Sequence, residues 1–122
     1  VQSIRDNNQN VKLEFINAEN INSLFVKYRV PYDFQLLVID IDGNEYHIWK
    51  ALEFAPDVVM IEYNQHIRPD LKCTIPYDPN FRTSVKSRFV SASCSALASL
   101  GKQKGYTLVE VDKINMIFVK ND

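Results

Sequence analysis

An α/β fold, with a mostly parallel sheet closed by a C-terminal antiparallel hairpin and helices on both faces, follows from three features of this chain. Two unbroken apolar runs, Leu36-Leu37-Val38-Ile39 and Val58-Val59-Met60-Ile61, each lead into acids. Continuous Leu/Val/Ile runs of this length read as strands buried on both faces, the signature of a parallel sheet. Two later runs, 106–111 and 115–119, are joined by a short polar link and read as an antiparallel hairpin.

The elements follow in order. Residues 1–10 are polar and rich in Asn and Gln, a frayed end or a connection to something missing. Residues 11–16 alternate apolar and polar and predict a strand covered on one face or lying at an edge. Asn17 is placed to cap a helix in which Ile21, Leu24, Phe25 and Tyr28 recur at helical spacing. Residues 35–41 form the central strand. Asn44 then caps a second helix, with Glu45 in its first turn near the positive end of the dipole and Ile48, Trp49 and Leu52 as its buried stripe. Pro56 ends that helix, because proline disfavours a helical residue before it.

After the strand at 58–61 comes a long segment, 67–90, centred on Pro76-Tyr77-Asp78-Pro79-Asn80-Phe81. A loop of this length inside a compact domain is more often a lid or binding loop than filler, which makes Tyr77 and Asn80 candidate substrate contacts. Residues 93–104 read as a helix with Ala96, Leu97 and Leu100 inward, stopped by Gly105 at C′.

Length and composition bound the function. The 122 residues suit one domain, with 46% hydrophobic and 24% charged residues, as in an ordinary globular protein. No apolar run approaches the ~20 residues of a membrane span, so no membrane role is expected. Cys73 and Cys94 lie in different elements, make no metal-binding spacing and read as reduced thiols, which points to the cytoplasm. The chain opens on Val rather than Met, as a processed or trimmed piece would.

Residues 1–63 hold ten acids against five Lys/Arg, whereas residues 64–122 hold five against nine. The basic excess sits mainly at Arg68, Lys72, Arg82, Lys86 and Arg88. These are either solvated loop charges or a lip that draws in a small anionic substrate. Aromatics do not interleave with them, so nucleic acid is not an expected partner.

Parallel sheets bind ligands beyond the carboxyl ends of their strands. Asp40, Asp42, Glu62 and Asn64 would converge there, with His66 close by. An acid ending a buried apolar strand needs a partner, which singles out Asp40. Asp42 and Asn44 have a second reading as turn and cap residues, and Glu62 could pair with Arg68. Neighbouring carboxylates can raise one another's pKa into the range of a general base. Carboxylate and amide oxygens at Asp42, Glu62 and Asn64 would equally suit Mg or Mn.

The element order and the run Asp40-Ile41-Asp42-Gly43-Asn44-Glu45 resemble the C-terminal portion of a class I S-adenosylmethionine-dependent methyltransferase, most closely the FkbM-like group. That group carries Asp-x-Glu-Gly-x-Glu at this point, so Asp42 replaces the first Glu. The resemblance covers most of residues 11–119 and implies a partial Rossmann-like sheet. It implies that Asp40, Asp42 and Glu62 position the methyl acceptor and take its proton, with Asn64, Tyr77 and Asn80 as substrate contacts. It further implies S-adenosylmethionine as the cofactor of the complete form. The family's Gly-rich cofactor turn has no counterpart here, where the glycines are Gly43, Gly101 and Gly105. On that reading the chain is inactive alone, and its sheet is covered by the missing N-terminal half or by a second copy.

Overall fold

The computed structural model describes residues 11–82 and 90–122; the polar end at 1–10 and the basic Lys86 and Arg88 lie outside the described residues. The described elements are α1 (Ile21–Lys27), β1 (Leu36–Ile39), α2 (Glu45–Ala51), β2 (Val58–Glu62), α3 (Cys94–Gln103), β3 (Tyr106–Val111) and β4 (Asn115–Lys120). They form an α/β architecture around an open four-stranded sheet of order β1-β2-β4-β3.

The sheet is mixed. β1 and β2 pair in parallel, while β4 runs antiparallel to both β2 and β3. The expectation of a mostly parallel sheet is corrected at this point: one pairing is parallel and two are antiparallel. Three strands nevertheless point the same way, because β4 alone is reversed and sits inside the sheet between β2 and β3. The expected hairpin is present, with a bulge between Leu108 and Glu110.

One face of the sheet makes the core. Register aligns Leu37, Val59 and Phe118 across it, then Ile39, Ile61 and Met116. The Trp49 ring of α2 lies 4.8 Å from that of Phe118, and Gly101 lets α3 approach the same ring. A β-carbon on Gly101 would stand 2.5 Å from Phe118. Ile48, Trp49, Leu52, Ala96, Leu97 and Leu100 all enter this core, as their helical spacing predicts, and Ile21 joins it from α1. Truncating Phe118 to alanine in a core this close-packed costs about 3–5 kcal/mol.

On the other face apolar side chains reach solvent. Leu36 is 56% exposed, Val38 51% and Val119 39%. These side chains share a face with Val58, Met60 and Ile117 by register. The expectations of strands buried on both faces and of helices on both sides are overturned, since the three described helices share one core on the opposite side.

The predicted strand at 11–16 does not form. Leu13 and Phe15, which its alternation would have buried, are 66% and 48% exposed, so the segment finds no apolar surface to settle on. α1 starts later than Asn17 suggests. Asn17 and Asn20 instead exchange bonds, each side-chain Oδ1 accepting from the other's backbone N–H at 2.9 Å. Such reciprocal bonding serves donors at a helix start, as a capping box does. α3 begins as its sequence indicates, with the Ser93 hydroxyl accepting from the Ala96 N–H at 3.2 Å. It ends at Gly105, whose φ of 85° is the left-handed conformation of a C′ glycine.

Candidate functional site

β1 and β2 are parallel neighbours, so their carboxyl ends open on the same side. There the chain gathers three acids. Carboxylate oxygens of Asp40, Asp42 and Glu62 all lie within 4.8 Å of one another, with Asp40 and Asp42 exposed and Glu62 half-buried. Desolvation first, then a hydrogen bond and charge repulsion from Asp40, then the charges of Glu45 and Asp42, push the Glu62 carboxyl up to about 7. Concentrating negative charge beside a partly desolvated carboxyl favours its protonated form.

The turn that presents these acids hangs on Glu45. This side chain is completely buried, and its oxygens accept the backbone N–H of Ile41 at 3.1 Å and of Gly43 at 2.9 and 3.0 Å. It also accepts the Ser91 hydroxyl. A carboxylate is a strong acceptor, and backbone donors placed like this hold the turn in one shape. Asp42 accordingly sits at φ 59°, a left-handed conformation that Asp tolerates better than most residues. The motif had marked Glu45 as the first-turn acid of α2, but its role as the buried anchor of the site, with Ser91 across from it, was missed. An acid two residues after an acid-Gly turn, in a helix with an apolar stripe, was the signal available.

A strap at residues 75–82 crosses this turn. The Asn44 amide donates to the Asp78 carbonyl at 2.8 Å, and His47 Nε2 meets the Ile75 carbonyl at 2.8 Å. Phe81 packs directly on Gly43. The Tyr77 hydroxyl accepts from the Ala18 N–H at 3.1 Å and bonds Glu19, so it ties the strap to the start of α1. Asn80 is exposed, and its N–H donates to the Asp78 side chain.

The predicted site residues thus separate into three placements. Asp40, Asp42 and Glu62 come together. Asn64 is buried below them and already committed, its amide donating to Val90 O and accepting from the His66 N–H. Tyr77 and Asn80 belong to the strap. Arg68 pairs with Asp70 at 2.6 Å rather than with Glu62. Asn44 occupies the N-cap position of α2 without capping it, and Trp49 is core. Cys73 and Cys94 are free thiols. No helix among the described residues is long and apolar enough to cross a membrane.

Comparison of the chain with protein-family models, with curated proteins and with solved structures gives no match.

Proposed function

We propose that this chain is half of a methyltransferase-type α/β domain whose acids hold and deprotonate a methyl acceptor once the cofactor-binding half is present. The observation that carries the reading is the meeting of Asp40, Asp42 and Glu62 at the carboxyl ends of two parallel neighbours. A carboxyl titrating near 7 accepts a proton efficiently at neutral pH, and Asp40 beside it would orient the acceptor hydroxyl. The exposed apolar side chains on the sheet face opposite the core and the open edge of β1 support the same reading, because a second half of the domain would cover them.

S-adenosylmethionine does not fit this chain by itself. Gly43 lies under Phe81, Gly101 faces Phe118, and Gly105, though open, precedes the amino end of β3 rather than the carboxyl ends where the acids stand, so no glycine lets a cofactor approach the backbone beside them. A divalent ion does fit the donor set: Asp40, Asp42 and Glu62 offer hard oxygens for Mg or Mn, and a bound ion would polarise an acceptor oxygen.

A second reading rests on that exposed apolar face alone: a non-catalytic assembly module that pairs with another copy of itself. Two measurements separate the readings. The half-domain predicts a monomer that binds a dye for exposed apolar surface and gives a flat calorimetric trace with S-adenosylmethionine. The assembly module predicts a dimer in equilibrium sedimentation, with little dye binding. Saturable micromolar cofactor binding by the chain alone sinks both.

A further inference from the structure

We propose that the cavity bounded by Phe15, Ile16, Ile41, Asn44, Phe81 and Arg82 is a binding site for a small aromatic carboxylate carrying a hydroxyl at its far end. This inference does not rest on the methyl-transfer reading. The cavity has a volume of about 200 Å³. A cavity of about 150 Å³ is enough to take up benzene, so there is room for one compact organic molecule. Two phenylalanines and two isoleucines form its walls, which suits the faces of an aromatic ring.

The polar groups say what the ring must carry. Asn44 is only 8% exposed, and its Nδ2 donates to the Asp78 carbonyl, which fixes which way round the amide sits. Its Oδ1 is therefore an acceptor, and this buried oxygen has no hydrogen-bond partner among the described residues. A buried acceptor without a donor is a standing cost that a ligand hydroxyl removes. Phe81 packs against the adjacent Gly43, is itself partly exposed and belongs to the irregular strap. Asn44 borders the cavity beside these rings, so its free oxygen is the acceptor a ligand hydroxyl would meet.

The cation of the cavity is Arg82. Its exposed guanidinium lies 4.3 Å from the centre of the Phe15 ring, stacked at the edge of the cavity. A planar guanidinium held on an aromatic face is well placed to receive a carboxylate through paired N–H bonds. Glu14 also borders the cavity, but Lys27 at 2.6 Å and the Tyr28 hydroxyl already answer its charge. A benzene-sized ring bearing a hydroxyl and a carboxylate matches a cavity with aromatic and aliphatic walls, one unmet acceptor and one cation.

The test uses 4-hydroxybenzoate, benzoate and phenol, titrated calorimetrically into the 122-residue chain. Expected is saturable 4-hydroxybenzoate binding, with benzoate and phenol each at least tenfold weaker, a difference of about 1.4 kcal/mol. Arg82→Gln, at an exposed position, should weaken 4-hydroxybenzoate tenfold while leaving phenol unchanged. Equal affinity for benzoate and 4-hydroxybenzoate overturns the role of Asn44. Equal affinity of the wild-type and Arg82→Gln chains overturns the role of Arg82. Absence of saturable binding overturns the site.

Discussion

Asp42 and Ser91 stand 49 residues apart in the chain yet share one backbone conformation and one anchor: φ is 59° at the first and 58° at the second, and both segments are bonded to Glu45. Left-handed backbone at a non-glycine residue costs roughly 1–2 kcal/mol, so Glu45 holds two unfavourable conformations in place. Glu45→Ala would strip the buried Gly43 donor and the part-buried Ile41 donor of their acceptor. At about 1–3 kcal/mol for each orphaned group, the loss should rank among the largest single-residue effects in the chain. Chemical denaturation of Glu45→Ala and Glu45→Gln tests this, with Gln keeping part of the bonding and part of the stability. Equal loss in both variants would show that charge, not bonding geometry, is what matters.

Replacing Asp42 should have the opposite sign. Asp42→Gly removes the left-handed strain and one acid from the cluster, and is expected to raise stability by about 1 kcal/mol. The same change should abolish any rise in melting temperature that millimolar Mn produces in the wild-type chain. A functional acid kept at the expense of stability behaves in this way, whereas a plain turn residue would show no linked loss.

Glu62 gives the chain a definite pH signature. Its carboxyl titrates near 7 in the folded state against 4.5 for the free side chain, so folding takes up a proton between those values. Stability from this group is therefore fully present below about 4.5 and is lost as pH rises through 7. Asp112 and Glu14 have lowered pKa values and act in the reverse sense, losing their contribution as pH falls. Melting curves of Glu62→Gln against wild type between pH 5 and 8 isolate the effect: the variant should gain progressively as pH rises. A constant difference across that range would refute the shifted titration.

Gly43 is set by steric contact rather than by backbone angle. A β-carbon there would stand 2.3 Å from the Phe81 ring, so Gly43→Ala must push that ring aside. Overpacking of this kind costs about 1–3 kcal/mol. Adding Phe81→Ala should recover much of the loss in a double-mutant cycle. Additive losses would place the strain elsewhere.

Much of this architecture was legible in the residues. Apolar runs located β1 and β2, helical spacing picked out Trp49, Leu97 and Leu100, and Gly105 marked the end of α3. The convergence of Asp40, Asp42 and Glu62 followed from placing both strands in parallel. What failed was everything that depends on distant partners. Alternation at 11–16 looked like a strand, but a strand needs a neighbour to bond. The run Leu36–Ile39 looked doubly buried because apolar content is local, whereas the layer covering each face is not. Glu45 passed for a helix-start acid because its donors come from the turn before it and from Ser91, which local pattern cannot see.

The interior position of β4 sets the order of assembly. Its bonds to β3 close across a short turn, while its bonds to β2 join residues such as Val58 and Val119, roughly sixty positions apart. Closing the larger loop costs more chain entropy, so the hairpin should form first and dock as a unit. Residues 115–120 then act as the keystone strand: until they dock on β2, the parallel pair β1–β2 and the β3–β4 hairpin are separate pieces.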